Sequence, residues 1–230
     1  MLDNNKKRYK TDVLIVGSGM IGSSLAIALS GVGFKIVIVD QVNPLIQTGN
    51  EFDGRASAVA ATPQKMLEEI GIWRHLKDNF MPIKDIRVVD GGSSLFLHYS
   101  HEDVSCEALG FMVENRHFRQ ACIAKLVNNK NTTFLAPCKI QKLTRGVGGV
   151  HAVLTDGSQV DASLVVGADG RGSKIREIAE INCTTRLYPQ TAIVLTVDHA
   201  LSHNNIAHEH FLPAGPFAIL PLRGKLGTKN

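Results

Sequence analysis

The 230-residue sequence contains no apolar run approaching about 18 residues, so no segment of it reads as a membrane-spanning helix. Cysteine is scarce. Cys106, Cys122, Cys138 and Cys183 stand far apart without a CxxC pair, which argues against a disulfide framework and for a reducing compartment. A preponderance of one charge is missing as well: the formal net charge is only +4, and the basic residues are scattered apart from Lys6, Lys7, Arg8 and Lys10. That cluster reads as a solvated tail, and no nucleic-acid partner is expected. It precedes the apolar run Val13 to Val16, but Gly17 and Gly19 cut the run short, so no export signal is expected. Internal repeats and low-complexity tracts are also absent.

What is present is an ordinary globular composition, 44% hydrophobic and 20% charged, sufficient for a substantial core. Asp12 to Val16 is a short apolar run, followed by a glycine-rich turn and then by Ser23 to Ser30, rich in Ala, Leu and Ile. Lys35 to Val39 is a second apolar run closed by Asp40. This order reads as the strand, helix, strand opening of a parallel sheet, with strands covered on both faces. Gln41 to Asp53 is polar and reads as a loop. Arg55 to Ala61 and Gln64 to Ile70 read as helical, the second with Pro63 in its first turn and a stop at Gly71. Asp85 to Val89 and Leu95 to His98 read as a hairpin around Gly91 and Gly92, and Arg116 to Val127 as a helix with Phe118, Cys122 and Leu126 on one face.

Between Thr132 and Val166 four short strands are expected, at 133–135, 139–143, 151–154 and 164–166, with Asp156-Gly157 as a hairpin turn. Ser173 to Ala179 reads as a short helix. Thr191 to Val197, Ile206 to Phe211 and Phe217 to Leu220 then alternate like strands of a second, mostly antiparallel sheet. The fold class is therefore α/β with an α+β second part: a Rossmann-like domain of residues 1–80 and 106–182, and a partial substrate-side sheet of residues 81–105 and 183–230.

Gly17, Gly19 and Gly22 form a G-x-G-x-x-G turn, with Ser18 and Met20 between them. The first glycine permits the tight turn, the second lets the backbone approach a pyrophosphate, and the third lets helix and strand pack closely. With 21 glycines in the chain the spacing alone carries little weight. Its context does more. The turn follows one predicted strand, opens a helix, and is followed by Asp40, which lies 18 residues past Gly22 and ends the next strand. A carboxylate about 20 residues on accepts ribose hydroxyls and disfavours a 2′-phosphate, so FAD or NAD is expected over NADP.

A second motif, Gly167-Ala168-Asp169-Gly170 with Ser173 and Arg176 following, stands between a strand and a short helix. Small residues there admit a cofactor to the backbone, and Asp169 can fix hydroxyls or amides. With both motifs the chain resembles the group A flavoprotein monooxygenases of the para-hydroxybenzoate hydroxylase fold, in which G-x-G-x-x-G is followed much later by G-A-D-G-x-x-S-x-x-R. Within that family it is most similar to the ubiquinone-biosynthesis ring hydroxylases, through Asp53-Gly54-Arg55-Ala56, Leu67, Gly71-Ile72-Trp73, Val113-Glu114-Asn115 and Gly215 to Leu222. The resemblance runs from Asp12 to Leu222.

The resemblance implies FAD as cofactor and NAD(P)H as reductant, with O₂ used to hydroxylate a phenolic or prenylated aromatic ring. It implies that Arg55 and Asn115 contact the flavin, that Asp169 meets the cofactor's central portion, that Gly170 also binds the cofactor, and that the segment at Pro216 lines the ring-side cavity. No catalytic side chain is singled out, because in such chemistry the cofactor carries the reactive oxygen while the protein positions the ring and excludes water. A cytoplasmic location follows, with peripheral contact to the inner face of the membrane or to a multi-enzyme assembly.

The family's third motif, Gly-Asp-Ala-(Ala)-His, is not found, and the matching pattern stops after Leu222. The expectation is a truncated or frameshifted hydroxylase with poor flavin affinity and little turnover. Two alternatives stay open: another flavoprotein of the same fold, such as a reductase or halogenase, and a non-catalytic nucleotide-binding or interaction module. His199, His203, His208 and His210 suggest a metal, but His208 and His210 fall on one predicted strand with no third ligand placed, so none is expected.

Overall fold

The computed structural model describes residues 7–44, 46 and 54–224. Its elements are β1 (Arg8–Val16), α1 (Met20–Gly31), β2 (Ile36–Val39), β3 (Ala56–Ala60), α2 (Ala61–Glu69), α3 (Trp73–Leu76), β4 (Met81–Ile83), β5 (Asp85–Asp90) and β6 (Phe96–Ser100). They continue with β7 (Gly110–Glu114), α4 (Asn115–Leu126), β8 (Thr132–Leu135), β9 (Ile140–Gly146), β10 (Gly149–Leu154), β11 (Gln159–Gly167), α5 (Lys174–Ile178), β12 (Ile206–Leu212) and β13 (Gly215–Ile219). The chain divides into two compact units, residues 1–50 with 119–191 and residues 51–118 with 192–230.

The first unit is a six-stranded sheet in the order β8-β2-β1-β11-β10-β9. Its first four strands are parallel, as the Rossmann-like reading requires, and β10 and β9 add an antiparallel meander. All four residues of β2, Ile-Val-Ile-Val, are buried, which is how a strand reads when neighbours cover both its faces. Leu14, Val16, Val37, Val39, Val160 and Ala162 join Leu154 and Ile175 in one apolar layer. Asp156-Gly157 turns β10 into β11, with Gly157 at φ +83° and its N–H donating to Leu154 O, as expected of the hairpin.

The second unit holds two sheets, β13-β12-β5-β6 and β3-β7-β4. The four-stranded sheet is antiparallel except between β12 and β5, which run parallel. Trp73, Phe80 and Phe111 pack ring to ring, with centroids 5.0 to 5.5 Å apart, between α3, β7 and the turn before β4.

Two local expectations are corrected. Arg55 to Ala61 is not helical: residues 56–60 form β3, paired antiparallel with β7 from Ala56 opposite Glu114 to Ala60 opposite Gly110. The alanines favour a helix locally, and a partner 50 to 58 residues away overrides them. Thr191 to Val197 forms no strand, and its residues are exposed. Its alternation finds no partner among the described residues. The compact units place residues 51–80 and 106–118 in the second unit, where the sequence assigned them to the first, and residues 183–191 in the first, where the sequence assigned them to the second. Asp53, Lys6 and the tail 225–230 lie outside the described residues.

Candidate functional site

In the first unit the ends of β1 and β11 bring the two glycine motifs side by side. The strands are parallel and in register, Val16 opposite Gly167, so chain segments 151 residues apart leave the sheet together. The chain leaves β1 toward β2 on one side, while β11 lies on the other. Such a divergence at the carboxyl ends of parallel strands opens a crevice for a ligand.

Close packing holds this crevice. The Gly17 N–H donates to Val39 O at 2.8 Å and the Ala168 N–H to Val16 O at 2.7 Å, which lace the two turns to the strand ends. Gly17 sits at φ +103°, and a Cβ there would run into the Ala168 carbonyl. A Cβ on Gly22 would run into the Gly17 carbonyl, so both positions require the missing side chain. Gly19 differs. Its φ is −62°, which any residue adopts, and a Cβ would meet nothing within 4 Å. Space, not strain, is what glycine leaves at this position.

That space lies at the start of α1, a 12-residue helix with no side-chain cap and no acid in its first turn. The leading N–H groups of a helix have no intrahelical acceptor and carry the positive end of its dipole. An uncapped helix start beside a bare glycine therefore fits the phosphates of a nucleotide. Ser18, Gly19 and Met20 line a cleft there together with Arg119 of α4. Arg119 was not legible in the motifs, because only the fold brings α4 to the start of α1.

Asp40 follows β2 at the same end of the sheet, as the sequence suggested. Its carboxylate already has protein donors: Oδ2 accepts from both the N–H and the hydroxyl of Ser18, and Oδ1 accepts from the Val42 N–H at 2.9 Å. Asp169 is engaged as well. Its Oδ1 accepts from the Ser173 hydroxyl, and its Oδ2 from the Lys174 N–H at 2.7 Å and the Ile175 N–H at 3.2 Å, so it ties the second turn to the start of α5. Burial works to raise its pKa, but the Ser173 hydroxyl and the backbone N–H groups outweigh it and hold the carboxyl below the usual range. Gly167 packs on Ile175, where a Cβ would come within 2.8 Å of the side chain. Gly170 is exposed, at φ +83°.

Arg55 and Asn115 lie in the second unit, where the structure brings them together. The Asn115 N–H donates to Arg55 O at 3.0 Å, and the Ser57 hydroxyl donates to Asn115 Oδ1 at 2.7 Å. The Arg55 side chain is exposed. Ser57 was hidden from sequence reasoning because it lies in the segment read as a helix.

The family model for the FAD binding domain matches residues 10–226. Ubiquinone hydroxylase UbiL of Rhodospirillum rubrum is 51% identical over 213 residues, covering 93% of this chain and 49% of that protein. The 3-demethoxyubiquinol 3-hydroxylase of Escherichia coli K12 is 28% identical, covering 92% and 54%. The chain thus spans about half the length of the curated relatives it matches. Among solved structures, Pseudomonas aeruginosa PqsL in complex with 2-aminobenzoylacetate superposes with a TM-score of 0.66 at 22% identity, over 78% of this chain and 48% of that one. The flavin-dependent monooxygenase PieE in complex with FAD and substrate does so with a TM-score of 0.67 at 14% identity, over 94% and 41%. These structures share the fold. With the family model matching nearly the whole length, the chain belongs to the FAD-binding domain family.

Proposed function

We propose that this chain carries the FAD cradle of a monooxygenase that hydroxylates a phenolic ring of a ubiquinone precursor. The observation that supports this most is the meeting of the two glycine turns at the ends of β1 and β11, beside the uncapped start of α1. In this reading Gly17, Ser18, Gly19, Met20 and Gly22 hold the pyrophosphate side, and Asp40 takes the adenosine ribose. Asp169 acts on the central portion through the turn it ties down, with Gly170 at the surface of that turn. Arg55 and Asn115 serve the flavin side. The relatives named as ubiquinone hydroxylases support the substrate class.

Bound FAD supplies the redox chemistry. One oxygen atom of O₂ enters a ring C–H bond as a hydroxyl, and the other leaves as water with two electrons from NAD(P)H and two protons. The chain's own residues hold the nucleotide through backbone donors and one carboxylate, and no side-chain nucleophile is required. A prenylated substrate partitions into lipid, so the reading includes peripheral contact with the inner face of a membrane. Among the described residues no helix is long and apolar enough to cross one.

The test is incubation of the purified chain with FAD, NADH and a short-chain prenylated phenol, following O₂ uptake and the product mass. Binding of FAD is expected, with little turnover and with any product heavier by one oxygen atom. Failure of the folded chain to bind FAD, or a product that has gained no oxygen, would contradict the assignment.

A further inference from the structure

We propose that the Ser18 hydroxyl competes with the adenosine ribose for Asp40, so that this serine lowers adenine-nucleotide affinity and weakens the demand for a ribose 2′-hydroxyl. The inference rests on the nucleotide reading of the cradle given above. A carboxylate offers about four acceptor positions. Three of those on Asp40 are taken: Oδ2 accepts from the Ser18 N–H and, at 2.7 Å, from the Ser18 hydroxyl, and Oδ1 accepts from the Val42 N–H. A ribose joined through its 5′ oxygen presents two hydroxyls, 2′ and 3′. One open position cannot take both.

Of the three donors only one is free to leave. The Ser18 N–H belongs to the turn that Gly17 locks against Ala168 and through its own N–H to Val39 O. The Val42 N–H sits two residues from Asp40, in the turn that follows β2. The Ser18 hydroxyl, by contrast, moves by rotation about a single bond. Its departure has a cost, because Ser18 is only 5% exposed and water does not readily replace Asp40 as its acceptor. The carbonyl of Ser18 is itself occupied by the Ser23 hydroxyl at 2.8 Å. A ribose that engages Asp40 with both hydroxyls must therefore displace a part-buried, charge-assisted hydrogen bond. A 2′-deoxyribose uses the open position and leaves Ser18 in place.

The experiment is titration calorimetry of the full chain with ADP and with 2′-deoxy-ADP, for the wild type, Ser18→Ala, Ser18→Gly and Asp40→Asn, with thermal melts to confirm folding. Ser18→Ala is expected to bind ADP roughly three- to tenfold more tightly than the wild type, the worth of one hydrogen bond no longer broken. Removing the 2′-hydroxyl should cost about twofold or less in the wild type and about fivefold or more in Ser18→Ala, because only the variant has two open positions on Asp40. Ser18→Gly should behave like Ser18→Ala, and Asp40→Asn should weaken ADP and lose the dependence on the 2′-hydroxyl. Should the Ser18 variants bind ADP no more tightly, with the wild-type ratio between the two nucleotides, while Asp40→Asn still weakens binding, the competition is overturned and the cradle stands. Failure of every folded protein to bind ADP overturns both.

Discussion

β2 and β6 are both short strands rich in large side chains, and they differ in what surrounds them. β2 lies between β1 and β8, and its residues Ile36 to Val39 are at most 3% exposed. β6 is an outer strand of its sheet among the described residues, paired with β5, and its Phe96, Leu97 and Tyr99 are all more than half exposed. Apolar content alone does not bury a strand. Neighbours on both sides and layers on both faces do, and in this chain those neighbours belong to the parallel sheet whose carboxyl ends carry the proposed cradle. Burial and the proposed phosphate site therefore coincide in the first unit, whereas the four-stranded sheet of the second unit carries apolar side chains in the open.

The sharpest way to break that contrast is at Gly22. Gly22→Val sets side-chain atoms on the Gly17 carbonyl inside the first turn, and a loss of about 3–5 kcal/mol is expected, enough to unfold a marginal domain. Denaturant melts should show no folded baseline or a much lower midpoint. Next comes a matched pair of truncations. Leu14→Ala, at a fully buried position of β1, should cost about 2–5 kcal/mol, whereas Leu97→Ala in β6 should change stability by about 0.5 kcal/mol or less. Similar losses at the two sites would erase the distinction between the sheets.

Thiol labelling sharpens it further without altering the fold. Burial pushes the Cys122 thiol up to about 12, more than the Ser24 hydroxyl offsets, and Cys138 is raised by burial and by its hydrogen bond with Asp156. Cys106 and Cys183 are exposed. At pH 8 the native protein should react rapidly at two thiols and at the other two only after denaturation. The smallest effect is at Asp161, where β11 meets β1 and β10. The Arg8 guanidinium and the His151 imidazole hydrogen-bond its carboxyl and hold its pKa at about 2. A carboxyl lower in the folded than in the unfolded state stabilises above the unfolded value of about 3.9 and loses that contribution as the pH falls toward 2. Acid titration of Asp161→Asn should therefore show a shallower stability decline between about pH 4 and pH 2, by less than about 1 kcal/mol because the side chain is a third exposed and screened.

The first unit was legible because its signals are local and mutually consistent. Val13 to Val16 and Ile36 to Val39 are unbroken apolar runs, the glycines stand at the turn between strand and helix, and Asp40 ends the second run. The pairing of Val16 with Gly167 was not visible, since nothing local joins positions 151 residues apart; the likeness of the two motifs to one family stood in for it. β3 was misread because Ala-Ser-Ala-Val-Ala favours a helix until β7 arrives to pair with it. The alternation of Thr191 to Val197 is a strand signal without a partner among the described residues. Hydrogen bonds were the least legible level: the sequence marks Asp40 and Asp169 as carboxylates at the right places, but not that Ser18 and Ser173 already hold them.

The central claim, that phosphate sits at the start of α1, is tested most directly at Gly19, where a side chain meets open space and the backbone conformation suits any residue. Aspartate is a favourable residue for a helix N-cap, so Gly19→Asp should keep or raise the melting temperature while placing a negative charge where the phosphates bind. In a fluorescence titration with FAD, the wild type should bind and Gly19→Asp should lose at least about tenfold in affinity. Equal affinity in a variant that melts no lower than the wild type would contradict the claim.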